Sequence, residues 1–152
     1  MKKMNKIIPQ ANSLDTLIKV FIYFANKKDC SLQDIADFIG FSPRQASYYL
    51  NACYYLDLVD ETGTILSDFG KSIVQCPNMI NELIYSRIIE DRLIGKVFTK
   101  MLFFPNENIK SFTMNLLSRE WPEYKEGVIE RRTSTLVSWC NDIIKYIKLN
   151  NK

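Results

Sequence analysis

Arg44, Gln45, Ser47, Tyr48 and Asn51 bring one cation, two amides and two hydroxyls into a short stretch of chain that opens at Ser42. These are the groups that read base edges and hold phosphates in duplex DNA. Gln45 or Asn51 can pair with adenine N6 and N7, and Arg44 with guanine O6 and N7, each good bidentate pair adding about 1–3 kcal/mol of discrimination. The Ser47 and Tyr48 hydroxyls serve equally well on phosphates. A second set, Arg131, Arg132, Ser134, Thr135 and Ser138, has similar chemistry, because two adjacent guanidinium groups can grip guanine edges or clamp a phosphate. Ordinary surface ion pairing competes there, since Glu126 and Glu130 stand just before the two arginines. Catalysis by these residues has little support. The chain has no histidine, no glycine-rich phosphate loop and no nucleophile beside a recognisable base.

The elements that must present the first set run from Ser31 to Val59 and read as two short helices, a tight turn and the start of a strand. Ser31 caps the first helix with Asp34 at its third position, and Leu32, Ile35, Ala36 and Ile39 recur on one face. Gly40 ends it. Ser42 caps the next helix and Pro43 takes its first position, where a missing N–H is harmless. Ala46, Leu50, Cys53 and Leu56 then face the core, which turns Arg44, Gln45, Ser47, Tyr48 and Asn51 outward. Leu58-Val59, the turn Asp60-Glu61-Thr62-Gly63 and Thr64-Ile65-Leu66 form a small β-hairpin wing. Ser67 caps a further helix from Asp68 to about Gln75, closed by Pro77. An upstream helix begins at Ser13 and carries Leu14, Leu17, Ile18, Phe21, Ile22 and Phe24 as the floor. The expected fold is mainly α, a winged helix-turn-helix with a small β-hairpin wing. The alternative is a plain helical bundle with a hairpin appendix.

The second half echoes this order. A shift of 77 carries Lys19-Val20-Phe21 onto Lys96-Val97-Phe98, and Leu32, Ile35, Ala36 and Ile39 onto Ile109, Phe112, Thr113 and Leu116. A shift of 87 carries Arg44, Ser47, Leu50, Cys53 and Leu56 onto Arg131, Ser134, Val137, Cys140 and Ile143. About ten residues are thus inserted between the two registers, in the segment Ser118 to Glu126, whose aromatic, proline and charge content suits an ordered loop or extra turn. The echo divides the chain into a winged-helix unit at 13–76 and a second, degenerate helix-turn-helix-like helical unit at 79–147, packed on the first. Glu130 to Tyr146 becomes a second recognition-like helix. In it Thr133, Leu136, Val137, Cys140, Ile143 and Ile144 face inward and Arg131, Arg132, Ser134, Thr135 and Ser138 are free. Trp139 is expected to anchor packing between the two halves and not to stack on a base.

Length and composition bound the rest. The chain has 152 residues, nearly half of them apolar, enough for one ordinary domain or two small ones sharing a core. Its net charge is +3, and the surplus lies in the second half: Lys and Arg against Asp and Glu number 8 to 8 over residues 1–76 and 12 to 9 over 77–152. Such a small surplus predicts modest nonspecific affinity for DNA. Cys30, Cys53, Cys76 and Cys140 form no CxxC pair, so neither a zinc site nor a disulfide framework is expected. Cys53 and Cys140 read as small core residues. No run of eighteen apolar residues occurs, and the lysines of Met1-Lys2-Lys3-Met4-Asn5-Lys6 precede no apolar signal region, so a cytoplasmic location is expected.

The stretch Gly127 to Ile144, GVIERRTSTLVSWCNDII, preceded by Trp121-Pro122-Glu123-Tyr124, resembles the Arg-Arg-x-x-Thr-x-x-x-Trp pattern of the second winged-helix unit in DNA-recognition modules of type II restriction endonucleases. The first half is similar to the winged helix that precedes it there, including Leu66-Ser67-Asp68-Phe69-Gly70. The resemblance covers Ser13 to about Ile147. It implies a module that reads double-stranded DNA in a restriction-modification system, with Arg131 and Arg132 carried over most directly. It does not imply cleavage by this chain. A nuclease core needs acidic metal ligands and a Glu-x-Lys-type element on adjoining strands to hold magnesium. Glu123-Tyr124-Lys125 has that spacing, but on a segment that does not read as a strand. Neither metal nor other cofactor is therefore expected. The expected partner is duplex DNA, with a nuclease domain or a homodimer partner as further candidates. Two other readings remain: a homodimeric winged-helix transcription regulator and a winged-helix protein-interaction module. A dimer would use the apolar stripe of the helix Met79 to Met101, with Ile80, Leu83, Ile84, Ile88 and Leu93, or that of the helix Glu130 to Ile147. The acid pair Asp60-Glu61 in the wing opposes DNA and favours a protein partner mildly.

Overall fold

A computed structural model of the chain describes residues 6–151 and is mainly helical. The lysines at positions 2 and 3 lie outside the described residues. The chain divides into two compact units, Met1–Ile84 and Tyr85–Lys152, the division falling inside one helix.

In the first unit, α1 (Leu14–Asn26), α2 (Leu32–Ile39) and α3 (Pro43–Tyr55) pack against one another. Side-chain caps set their beginnings. Ser13 accepts from Thr16 N at 3.1 Å, and Ser42 accepts from Gln45 N at 3.3 Å. Ser31 and Asp34 form a reciprocal capping box, each side chain accepting from the other's backbone N–H. Asp34 lies below the usual carboxylate range, held there first by the Ser31 backbone N–H and then by the Ser31 hydroxyl and Lys27. Gly40 stops α2 in the left-handed region at φ 73°, where glycine has no steric penalty. Leu14, Leu17, Val20, Phe21, Ile35, Ala36, Ala46 and Cys53 are buried and make the shared core. The segment before α1 joins it, because Ile7, Ile8 and Ala11 are buried as well.

The expected wing is corrected here. No strand forms among the described residues, and a single antiparallel bridge, Val59 with Leu66, closes the segment from Leu58 to Ser67. The cause is the Asp60 carboxylate. Its Oδ1 accepts from Thr64 N at 3.0 Å and Ile65 N at 3.3 Å, and its Oδ2 from the Thr62 hydroxyl at 2.7 Å. Backbone amides that a hairpin ladder needs are drawn to one side chain, and Ile65 is left 58% exposed. Next, α4 (Asp68–Val74) is capped by Ser67, whose Oγ accepts from Gly70 N at 2.9 Å. A Cβ at Gly70 would overlap the Leu58 carbonyl oxygen, so only glycine allows the backbones to approach this closely.

A 3-10 turn, Pro77–Met79, leads into α5 (Ile80–Glu90) and α6 (Arg92–Phe103). The sequence reading of Met79 to Met101 as one helix is corrected. Asp91 breaks the run by leaving helical backbone and capping α6, accepting from Leu93 N at 3.1 Å and Ile94 N at 3.0 Å. Four of the five residues proposed as a dimer seam are unsuited to it, since Ile80, Ile84, Ile88 and Leu93 are buried by the chain itself.

In the second unit α6, α7 (Ile109–Glu120) and α8 (Glu126–Asn150) pack together, the same order as α1, α2 and α3. Burial agrees at several echoed positions: Val20 with Val97, Phe21 with Phe98, Cys53 with Cys140 and Leu56 with Ile143 are all buried. The extra residues between the two registers become a helical turn added to the end of α7, the loop Trp121 to Lys125, and a helical turn added to the start of α8.

Burial pushes the Cys53 and Cys140 thiols up to about 12. Cys76 is exposed and Cys30 half-buried, burial and the Asp34 charge also raising the Cys30 thiol. A disulfide reagent in mildly alkaline buffer is therefore expected to label Cys76 quickly, Cys30 more slowly, and the other two only after unfolding. Rapid labelling of all four in the native protein would contradict this packing.

Candidate functional site

The polar face of α3 begins well exposed and narrows along the helix. Ser42, Arg44 and Gln45 are exposed, while Ser47 and Tyr48 are half-buried. Arg44 Nε donates to the Tyr48 hydroxyl at 2.7 Å, and its guanidinium carbon lies 5.8 Å from the Tyr48 ring centroid. One turn of helix thus holds the guanidinium over an aromatic face and restricts its rotamers before any ligand arrives.

Asn51 departs from expectation. It is half-buried and its Oδ1 is enclosed with no hydrogen-bond partner, so this oxygen does not present itself outward as the helical spacing suggested. Farther along, Lys6 Nζ donates to the Tyr54 carbonyl at 2.7 Å and sits 4.1 Å from the Tyr54 ring centroid. The amino-terminal segment therefore lies against the end of α3, a contact no periodicity announces. What remains presentable is the first two turns.

The acid pair after α3 has a local use. Burial alone would raise Asp60, but hydrogen bonds from Thr62, Thr64, Ile65 and Gly63 outweigh it and hold the carboxyl below its ordinary value. Its charge is spent on donors within its own turn. Glu61 is exposed.

On α8 the expected residues separate. Arg131 is exposed and makes no ion pair among the described residues, for Glu130 turns to Lys110 at 2.9 Å. The Lys110 ammonium holds the Glu130 carboxyl below its ordinary value. Ser134 is exposed and its hydroxyl donates to the Glu130 carbonyl at 3.2 Å, and Ser138 is half-buried. Thr135 and Arg132 must be corrected, the first fully buried and the second half-buried. The reason is a second inward face. Besides Ile129, Thr133, Leu136, Cys140 and Ile143, α8 buries Thr135 and Trp139 one turn apart, and Tyr146 farther along this face meets Tyr85 edge to face at 5.0 Å. Arg132 belongs to this stripe by its spacing of three from Thr135.

The two sets of residues lie in separate units, and each is described within its own. Among the described residues no group of three or more His, Cys, Asp or Glu is placed to hold a metal ion, and no helix is long and apolar enough to cross a membrane. No curated protein and no solved structure matches the chain. One family model does match, over residues 16–148. That span takes in α1 to α8 almost entirely, and the chain accordingly belongs to the family described as Domain of unknown function (DUF7226).

Proposed function

We propose that the chain binds double-stranded DNA sequence-specifically, with α2, the turn at Gly40 to Ser42 and α3 acting as a helix-turn-helix, and that it serves a restriction-modification system as a recognition module. The observation that carries the reading is the exposed opening of α3. Ser42, Arg44 and Gln45 stand on it, backed by buried Ala46, Tyr49, Leu50 and Cys53. A helix of this kind enters the major groove by its amino-terminal residues. Gln45 would read adenine, Arg44 guanine or a phosphate, and Ser47 and Tyr48 would hold the backbone. The segment Leu58 to Ser67, although no hairpin, follows the same helix closely in sequence and carries an Asp60 whose charge is already engaged. Arg131 would add a contact from α8 on the strength of the resemblance to restriction-enzyme modules, and Ser134 and Ser138 on the strength of the echo between the two halves. A homodimeric regulator loses one of its two candidate seams, the stripe on α5 and α6, four of whose five residues are buried.

The test is a titration of the chain onto a fluorescently labelled duplex pool at low and moderate salt. Saturable anisotropy that falls with salt is the expected result, because each phosphate contact releases counterions. A flat signal at both salts would overturn the reading.

A further inference from the structure

We infer that Tyr48 is a positioning residue for guanine reading: its hydroxyl holds Arg44 by Nε, so that the terminal nitrogens of the guanidinium form the fork that meets guanine O6 and N7. This inference rests on the DNA reading of α3 given above. Arg44 is the only charged residue of α3, so the charge of that helix and its best base contact depend on one side chain. Its Nε donates to the Tyr48 hydroxyl at 2.7 Å, and the guanidinium carbon stands 5.8 Å from the ring centroid. Arg44 is exposed and Tyr48 half-buried, which makes the phenol the anchored end of the pair.

The chemistry of the partner matters. A carboxylate in that place would orient the arginine but cancel its charge, whereas a neutral phenol orients it and leaves the charge whole. The bond also selects which edge is offered. A guanidinium can present a fork from Nε and one terminal nitrogen, or from both terminal nitrogens. With Nε engaged, only the second is free, and it matches the paired acceptors of guanine. A phosphate needs no such aim, since even the point charge of a lysine binds it. Tyr48 keeps its own proton to donate, and accepting from a cation makes the phenol a stronger donor, so a backbone phosphate suits it. The pair thus links one phosphate to one base and fixes the register of α3 on the duplex.

The test is a titration of the full chain onto the duplex it selects from a random pool, with each guanine replaced in turn by inosine or by 7-deazaguanine. Inosine keeps O6 and N7 and should bind as guanine does. Removal of N7 at one position should weaken binding at least about tenfold, the size of one hydrogen bond to a charged group. Tyr48→Phe keeps the ring and should bind the selected duplex about two- to tenfold more weakly, the effect of releasing one ordered side chain. It should also shrink the 7-deazaguanine penalty, because a freed guanidinium can turn to other acceptors, while the salt slope and the melting temperature stay unchanged. In an Arg44→Ala background, Tyr48→Phe should alter base preference no further. A full penalty in Tyr48→Phe, no penalty in the unaltered chain, or a marked fall in the Tyr48→Phe melting temperature would overturn the positioning role and leave the DNA reading standing. Failure to select any duplex would overturn the DNA reading itself, and this inference with it.

Discussion

Trp139→Ala is expected to destabilise the second unit by about 3–5 kcal/mol, the range for removing a fully buried aromatic side chain. Trp139 is wholly enclosed and heads the largest buried side chains of the chain. It lies one turn beyond Thr135, also enclosed, on the second inward face of α8. Truncation would leave a cavity there and expose that face to water, so amide protection in α6, α7 and α8 should fall together. The loss is a large fraction of what a domain of this size has to spare. Thermal melting and hydrogen exchange measure it, and an unchanged melt with intact protection would contradict the packing of α8.

Arg44→Ala combined with Gln45→Ala is expected to lower affinity for the preferred duplex by tenfold to several hundredfold while leaving the melt within about a degree or two. Each bidentate base contact contributes about 1–3 kcal/mol, and both side chains are exposed, where substitutions away from structural features shift stability by about 0.5 kcal/mol or less. Arg44 gives up its surface bond to the Tyr48 hydroxyl and its contact with the Tyr48 ring. Nonspecific retention should fall less, because Gln45 carries no charge and one cation is removed. Loss of stability in step with loss of binding would make these residues structural. Arg131→Ala is a useful companion because Arg131 is exposed. Arg132 is not, since its half-buried place on the second face of α8 mixes packing with charge.

The helix starts at Ser13, Ser31, Ser42 and Ser67 were legible because a cap is a local event, one side chain meeting an N–H three residues on. The stop at Gly40 was legible for the same reason. Features were not legible where a stronger periodic or propensity signal masked a local bond, or where distant packing decided. Asp91 interrupts an apolar period that continues on both sides, and only its cap bonds reveal the break between α5 and α6. The wing failed because β-branched Thr64 and Ile65 promise a strand by type, whereas the Asp60 carboxylate captures both their amides. The segment Ile7 to Ala11 is too short to show a period, yet it is buried.

The candidate site divides along the same line. Ser42, Arg44 and Gln45 stand in the first turn of α3, where few neighbours can reach, and are exposed as the spacing implies. Asn51 and Thr135 lie mid-helix, where a second packed face decides exposure, and a single apolar stripe read from α3 or α8 could not foresee it.

Selection of bound sequences from a random duplex pool tests base reading by α3 most directly. The account predicts that one short motif is enriched at low salt, persists at moderate salt, and disappears with Arg44→Ala and Gln45→Ala together. Even recovery of all sequences, or a motif that survives both substitutions, would contradict it.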